Sequence, residues 1–314
     1  MTVTQLQKEI LALKNQNDVT ILCHYYQMID IQEIADYVGD SLGLSRTAKE
    51  KANTKYIIFA GVDFMAETAS ILNQSKHVLI PNYEACCPMA AFLTPEMVRD
   101  YKKEYPGFPV IVYVNSTAEV KAESDICCTS SNAIKIVERI SNEFGSEGVL
   151  FGPDANLADY AEQKSGIKCV KMPPKGHCIV HSQIKPDHIT KAKKEHPKAI
   201  VLVHPECVRE VRELSDFVGS TAYMYNAVKT SSLEDREFII GTEKGLIDRI
   251  AKDFPDKSLY MAMDKLVCYN MKKNSLELIK YILGNLNDKM HHVKVPSDIA
   301  ERALKPIEKM LEYS

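Results

Sequence analysis

Three stretches of the chain repeat one order of apolar and polar positions. Each begins with a β-rich apolar run: VTILCHYYQ ending at Gln27, PVIVYVNST ending at Thr117 and AIVLVHPEC ending at Cys207. Each run leads through a helical stretch into a related hexad, which is DYVGDS, DICCTS or DFVGST. All three hexads start with an aspartate, continue with apolar residues and carry a hydroxyl residue five places after the aspartate.

The order of elements after the hexads repeats as well. A helix is expected first, and then a strand that reaches Gly61, Gly152 or Gly241. Another helix and a third strand-like run follow, and this run ends at Cys87, Cys178 or Cys268. Cys87 and Cys178 lie 91 residues apart, and Cys178 and Cys268 lie 90 residues apart. Self-similarity at a fixed period is typical of repeated structural units.

Strands that alternate with helices predict parallel sheets covered by helices on both faces. The sequence therefore predicts an α/β fold of three homologous αβα domains, arranged around a pseudo-threefold axis with the active site at the centre. The predicted domains span residues 15–104, 105–195 and 196–290. Residues at the same point of each repeat are expected to face that centre.

Both ends of the chain lie outside the repeats. Residues 1–14 form an amphipathic pattern, and residues 296–314 predict C-terminal helices that begin near Ser297 or Asp298. Pro306 is expected to kink this helical segment or to split it in two. We expect both terminal segments to pack side by side on the first domain.

Composition narrows the class of protein. The chain has 314 residues, is 45% hydrophobic and carries a net charge of −3, so no excess of charge favours nucleic acid or a membrane surface as partner. The N-terminal segment lacks the long apolar core of a signal peptide or a membrane span, which predicts a cytoplasmic protein. In that compartment nine cysteines indicate metal ligation or plain burial before disulfides.

The three phased cysteines could converge on the axis and hold a metal centre. Structural zinc takes four ligands, usually as two close pairs, and the chain has no CxxC pair. Three cysteines around a [4Fe–4S] cluster would leave one iron open as a Lewis acid. The alternative is chance phasing of buried cysteines. The phasing favours Cys87 as a ligand over its neighbour Cys86, for which we expect a packing role. The remaining cysteines are expected in the core: Cys23, Cys127, Cys128, Cys169 and Cys207.

Polar residues gather where the first strands end, which is where ligands bind in open α/β layers. The three sets are His24-Tyr25-Tyr26, Tyr113-Val114-Asn115 and His204-Pro205-Glu206. The hydroxyl residues of the hexads are placed to cap the next helix or to bind an anion at its N-terminus: Ser41, Ser130 with Ser131, and Ser220 with Thr221. These residues together favour an enzyme with a central metal that acts on small polyanions.

Several motifs resemble those of quinolinate synthases, and the resemblance runs over nearly the whole chain. The longest is YVNSTAEVKAESDICCTSSNA (113–133), and the others include HYYQ, ADYVGDSL, GVDFMAETA, EACCPMA, GHCIVH, HPEC, VGST and CYNMK. The resemblance implies a transferase that condenses iminoaspartate with dihydroxyacetone phosphate to quinolinate for NAD biosynthesis. It also implies a [4Fe–4S] cluster held by Cys87, Cys178 and Cys268, with one open iron.

The same resemblance implies roles for the strand-end and hexad residues. Tyr26 and Glu206 match residues that move protons, with His204 beside them. The matching substrate-binding positions are His24, Ser41, Tyr113, Val114, Asn115, Ser130, His204, Pro205, Glu206, Ser220 and Thr221. The enzyme that supplies iminoaspartate is a candidate transient partner.

Two positions depart from the family pattern. Cys23 stands where alanine is common, and Met271 stands where some members have a second cysteine, which excludes a CxxC disulfide there. Two alternatives stay open at this point. One is a hydro-lyase whose open iron only dehydrates a hydroxy acid, and the other is a non-catalytic iron–sulfur sensor, although no basic DNA-binding helix accompanies it.

Overall fold

The computed structural model of the chain describes residues 4–232 and 236–314. Within them the strands form three separate sheets, each four-stranded and parallel throughout. The first has the order β2-β1-β3-β4 and is made of β1 (Val19–His24), β2 (Tyr37–Gly39), β3 (Tyr56–Ala60) and β4 (His77–Leu79). The second has the order β6-β5-β7-β8 and is made of β5 (Val110–Tyr113), β6 (Ile126–Cys128), β7 (Gly148–Gly152) and β8 (Lys168–Lys171).

The third sheet repeats this topology as β10-β9-β11-β12, from β9 (Ile200–Val203), β10 (Phe217–Val218), β11 (Glu237–Gly241) and β12 (Ser258–Met261). The predicted fold class, α/β with parallel sheets in three similar units, is confirmed. The pseudo-threefold axis and the domain boundaries stay predictions. Among the described residues no helix combines the length and the apolar character that crossing a bilayer requires.

Helices connect the parallel strands. Those up to the end of the first sheet's segment are α1 (Gln5–Gln16), α2 (Ile29–Ile34), α3 (Ser41–Glu50), α4 (Asp63–Leu72) and α5 (Pro95–Glu104). The second segment has α6 (Ala118–Lys121), α7 (Ala133–Phe144), α8 (Ala155–Ser165) and α9 (Pro186–Glu195). The third segment and the C-terminus have α10 (Arg209–Glu213), α11 (Thr221–Thr230), α12 (Lys244–Asp253), α13 (Leu276–Gly284) and α14 (Ser297–Tyr313).

Each hexad contains a short edge strand that the sequence did not predict. Strands β2, β6 and β10 are two or three residues long, too short for an alternating pattern to mark them. The structure also explains the hexad aspartate. Asp36 accepts the N–H of Ile21 at 2.8 Å and donates its own N–H to the Ile21 carbonyl at 2.9 Å. Asp125 and Asp216 make the same pair of bonds with Val110 and Val201.

The position of the phased cysteines differs from the prediction. The fourth strand of each sheet ends at Leu79, Lys171 or Met261, seven or eight residues before the cysteine. Each cysteine lies instead in the loop that follows, next to a 3₁₀ turn: Pro88–Phe92, His181–Gln183 or Met271–Lys273. The cysteines are therefore held by loop contacts and not by a sheet ladder.

The terminal helices contact the first segment, but each packs more extensively on another part of the chain. Helix α1 packs mainly on α13, and residues 1–3 of the predicted N-terminal segment lie outside the described range. Helix α14 packs on α4 of the first segment and also on α6 and β6 of the second. Its apolar stripe, Ala300, Ala303, Ile307 and Met310, is buried there. Pro306 lies inside one continuous helix, so the prediction of a split was wrong.

Candidate active site

One pocket collects side chains from all three segments. Strands β1 and β5 end at His24 and Tyr113, and β9 ends one residue before His204, so the three polar strand-end sets follow equivalent buried strands. The predicted residues that line the pocket are His24, Tyr26, Ser41, Cys87, Tyr113, Asn115, Ser130, Cys178, His204, Glu206, Thr221 and Cys268. The sequence thus predicted most of this wall.

Three predicted binding residues do not line the pocket: Val114, Pro205 and Ser220, which are all buried. Ser220 is the N-cap of α11, where its hydroxyl accepts the N–H of Tyr223 at 3.2 Å. Capping differs at the other two hexads. Asp40 caps α3 by accepting the N–H of Gly43, and Asn132 precedes α7 without a side-chain cap. The hydroxyls of Ser41, Ser130 and Thr221 therefore belong to the pocket wall rather than to caps.

Asn115 supplies an acceptor to the same wall. Its Oδ1 is buried and has no hydrogen-bond partner among the described residues. A buried polar atom without a partner costs about 1–3 kcal/mol, which a bound ligand that donates a hydrogen bond would recover. This oxygen therefore points to a polar ligand.

A chain of five side chains in polar contact runs along the pocket, and four of them line it. Tyr113 Oη donates to Glu206 Oε1 at 2.6 Å, and His181 Nδ1 lies 2.7 Å from Glu206 Oε2. On the other side of the imidazole, His181 Nε2 lies 2.9 Å from Thr242 Oγ1, which in turn lies 2.6 Å from Tyr26 Oη. We refer to Tyr26, Thr242, His181, Glu206 and Tyr113 as the five-residue chain.

Burial determines the protonation states in this chain and beside it. The pKa values of Tyr26 and Tyr113 are well above the ordinary value, because both phenols are buried and face Glu206. Burial opposes ionisation of Glu206, but the adjacent imidazoles of His204 and His181 and the Tyr113 hydrogen bond outweigh it and lower the pKa of Glu206. The site therefore pairs an ionised carboxylate with two protonated phenols.

Two histidines near the chain are neutral. Burial lowers the pKa of His24 and of His204 to about 3. The geometry agrees, because Nδ1 of His24 accepts the N–H of Tyr26 at 3.1 Å and Nδ1 of His204 accepts the N–H of Glu206 at 3.3 Å. An unprotonated Nδ1 is required for both bonds.

His181 and Thr242 are two site residues that were not predicted from the sequence. Both stand where the other repeats have an apolar residue. Counting three residues past each phased cysteine gives Ala90, His181 and Met271, and the residues after the repeated glycines are Val62, Pro153 and Thr242. A polar residue at one of three equivalent positions was the available signal. Such a residue departs from the repeat pattern because its side chain contacts other site residues and is not needed for the common fold.

The three phased cysteines are free thiols in a repeated setting. Burial raises the pKa of each, and two backbone N–H groups directed at each sulfur oppose that effect. These N–H groups come from the residues two and three places after the cysteine: Met89 and Ala90, Val180 and His181, or Asn270 and Met271. Cys86 differs, since its side chain is exposed and lies outside the pocket lining, so the packing role expected for it was wrong.

Two kinds of metal site fit this pocket. The ligand atoms of Cys178, His181 and Glu206 lie within 4.8 Å of one another, which suits a single ion. However, Nδ1 of His181 already lies 2.7 Å from Glu206 Oε2 and 3.2 Å from Cys178 Sγ, so a single ion would have to separate groups that contact one another directly. The three free thiols, one from each segment and each with two backbone N–H groups directed at its sulfur, are soft ligands that would suit an iron–sulfur cluster.

The chain is similar to known proteins over nearly its whole length. The family model described as Quinolinate synthetase A protein matches residues 8–312. The chain is 45% identical to a quinolinate synthase of Pyrococcus abyssi, over 98% of this chain and 99% of that protein. It is 45% identical to one of Thermotoga maritima, over 97% and 98% of the two chains, and 47% identical to one of Clostridium kluyveri, over 98% and 97%.

Proposed function

The chain belongs to the quinolinate synthase family, and on that premise we propose that it condenses iminoaspartate with dihydroxyacetone phosphate to form quinolinate. Phosphate and two waters are lost, and the product feeds NAD biosynthesis in the cytoplasm. This makes the chain a transferase. The observation that carries the proposal is the five-residue chain beside three thiols in one pocket.

Cys87, Cys178 and Cys268 are the proposed ligands of a [4Fe–4S] cluster. When bound there, the cluster supplies an open iron that acts as a Lewis acid on a substrate oxygen or nitrogen. The rest of the chemistry is assigned to the side chains of the pocket wall.

Substrate binding is assigned to the polar groups that line the pocket. Ser41 and Thr221 are the first residues of α3 and α11, so their hydroxyls and the nearby helix N–H groups suit phosphate and carboxylate oxygens. Ser130 adds a third hydroxyl, Asn115 Oδ1 accepts from a substrate N–H or O–H, and His24 presents a neutral ring. Val114, Pro205 and Ser220 are proposed to support these groups from behind.

The five-residue chain moves protons in one direction at a time. With Nδ1–H of His181 donated to Glu206, Nε2 accepts from Thr242 and Thr242 accepts from Tyr26, so every donor points toward Glu206. Tyr26 takes a proton from the substrate as its own proton passes to Thr242, and the last transfer protonates Glu206. The reverse transfer gives the proton to a leaving hydroxyl. General acid–base help of this kind contributes about 10²- to 10⁴-fold.

His204 completes the proposed catalytic set. Its imidazole stacks on that of His181 with ring centroids 4.4 Å apart, next to Glu206. Its Nδ1 accepts the backbone N–H of Glu206, so the neutral ring holds this residue in place. The enzyme that supplies iminoaspartate is the proposed transient partner, because this substrate must reach the pocket before water destroys it.

An anaerobic turnover assay tests the proposal. Protein with a reconstituted cluster receives freshly generated iminoaspartate and dihydroxyacetone phosphate, and quinolinate is followed by chromatography. We expect quinolinate from the wild type and from Cys86→Ser, whose thiol is exposed, and none from Cys87→Ser. A loaded wild-type protein that dehydrates a hydroxy acid but forms no C–C bond would refute the synthase assignment in favour of a hydro-lyase.

A further inference from the structure

Each phased cysteine is backed by a carboxylate at an equivalent position. Asp63, Asp154 and Glu243 come two residues after the repeated glycines and 24 or 25 residues before the cysteines. Each accepts the backbone N–H of its cysteine: Asp63 from Cys87 at 3.1 Å, Asp154 from Cys178 at 3.0 Å and Glu243 from Cys268 at 3.2 Å. We refer to these three residues as the backing carboxylates.

The same carboxylates hold the start of the following helix. Asp63 accepts the N–H of Phe64 at 2.8 Å, Asp154 accepts that of Leu157 at 2.7 Å and Glu243 accepts that of Gly245 at 2.6 Å. A second bond runs the other way in each repeat, because an N–H at the helix start donates to the carbonyl two residues before the cysteine. These carbonyls belong to Ala85, Gly176 and Leu266. Each cysteine loop is therefore tied twice to a helix N-terminus.

Helix capping alone does not account for this arrangement. A serine, threonine or asparagine caps a helix without burying a charge, whereas Asp154 and Glu243 are 0% exposed. Burying a carboxylate costs free energy unless hydrogen bonds or a cation offset it. Glu243 has Lys272 Nζ at 3.0 Å, and the hydrogen bonds of Asp154 come from backbone N–H groups. Besides an N–H at the helix start, all three carboxylates share the cysteine N–H as a partner.

We propose that the backing carboxylates are positioning residues for the iron–sulfur cluster, each holding its cysteine loop in the ligating conformation before the cluster binds. By engaging the cysteine N–H, a carboxylate fixes the turn that directs the next N–H groups at the sulfur. The inference rests on the proposed function, since it takes the three cysteines as cluster ligands. It assigns the carboxylates no contact with substrate.

The three positions differ in a way that provides an internal control. Asp63 uses one oxygen, Oδ1, for both of its N–H partners. Asp154 and Glu243 use one oxygen for the helix N–H and the other for the cysteine N–H. An amide has one acceptor oxygen, and its NH₂ group would face an N–H. Asp63→Asn therefore keeps both bonds, while Asp154→Asn and Glu243→Gln lose one.

Iron retention and amide exchange test the inference without an activity assay. After anaerobic reconstitution, iron and sulfide per folded chain are measured, and iron loss to a ferrous chelator is timed. We expect Asp154→Asn and Glu243→Gln to lose iron about 10- to 100-fold faster than the wild type, the usual effect of removing a residue that orients a metal ligand. Asp63→Asn should lose iron close to the wild-type rate.

In the metal-free proteins, hydrogen exchange should quicken at the Cys178 amide of Asp154→Asn and at the Cys268 amide of Glu243→Gln. The Cys87 amide of Asp63→Asn should stay protected. Circular dichroism and thermal midpoints give the folded fraction used to correct iron content.

The outcomes separate this inference from the proposed function. If the wild type binds the cluster and all three variants retain it equally, the positioning role is wrong and the proposed function stands. Iron loss that only follows the loss of folded protein has the same meaning. A wild type that binds no cluster removes the proposed function and this inference together.

Discussion

Nδ1 of His181 lies 2.7 Å from Oε2 of Glu206, and both side chains are almost fully buried. His181 comes from the loop after β8, and Glu206 comes from the loop after β9, so the contact joins the second and third segments of the chain. The remaining atoms of the two groups complete the path from Tyr26 to Tyr113. The path depends on the relative placement of segments that lie far apart in sequence.

The first prediction concerns this imidazole. His181→Phe keeps the ring volume and removes both hydrogen bonds, so we expect kcat to fall by about 10²- to 10⁴-fold with a smaller change in KM. Iron content must be measured alongside, because Nδ1 of His181 also lies 3.2 Å from Cys178 Sγ. His177→Phe, at a half-buried position of the same loop that lies outside the pocket lining, is the matched control. Wild-type turnover by loaded His181→Phe would contradict the five-residue chain.

Acid should destabilise the metal-free protein through His24. Its pKa is about 3 in the folded protein because of burial, against an ordinary value of 6.5. The unfolded chain therefore binds the proton first, and stability is lost as the pH falls from about 6.5 toward 3. At pH 5 the loss from one such histidine is about 2 kcal/mol.

Comparison with a variant isolates this contribution. Burial raises the pKa of Asp154 and Glu243, and these carboxyls act in the opposite direction as the pH falls. Urea unfolding is therefore measured for the wild type and for His24→Asn, each at pH 7.5 and at pH 5. The contributions of Asp154 and Glu243 are common to both proteins and cancel in the comparison. The wild type should lose about 2 kcal/mol more than the variant over this interval. Parallel losses in the two proteins would show that His24 is not buried neutral.

Gly245 is predicted to tolerate no side chain. A Cβ there would lie 2.7 Å from the carbonyl oxygens of both Tyr25 and Gln27, which follow β1. Gly245→Ala should therefore separate α12 from the Tyr26 loop, at a cost of about 1–3 kcal/mol in unfolding free energy and with loss of turnover. Gly284→Ala, where a Cβ meets open space, should be neutral or slightly stabilising. Equal denaturation midpoints for the two variants would refute the close approach.

Removal of the Asp159 carboxylate, which lies on the face between α8 and α10, should lower the folding stability unusually strongly. Its carboxylate accepts from Arg212 at 2.6 Å, from Arg209 at 2.6 Å and from Lys171 at 3.1 Å, and the Arg212 side chain is 3% exposed. Asp159→Ala leaves that guanidinium buried without its anion, so we expect a loss of about 3 kcal/mol in chemical denaturation. Asp100→Ala breaks the exposed pair with Lys103 and should leave stability nearly unchanged. A similar small change at Asp159 would contradict this interpretation.

The features that could be predicted from the sequence are those that recur in all three repeats. Equivalent strands, glycines and cysteines carry the α/β fold and bring the strand-end sets to one pocket, so His24, Tyr113 and His204 could be named in advance. The edge strands were missed because two or three residues give no periodicity. Packing of the terminal helices was missed because an amphipathic stripe shows that a helix is buried, not against which neighbour.

Site residues that occur in only one of the three repeats were harder to predict. His181 and Thr242 each occur at one of three equivalent positions, and their partners come from other segments. Hydrogen bonds between segments depend on how three sheets are placed relative to one another. The pairing of hexad aspartates with strand β1, β5 or β9 shows the opposite case, since a contact that stays within one segment recurs in all three.

The distribution of the three thiols over three successive loops has a consequence during synthesis. A ribosome that has released the first two segments has released Cys87 and Cys178 but neither Thr242 nor Cys268. Until the third segment folds, the first two thiols lack the neighbours that enclose them, and they are accessible to oxidants and to stray metal ions. Iron for the proposed cluster would therefore have to be delivered after translation of the last segment, and nascent chains that stall before it should accumulate oxidised cysteines.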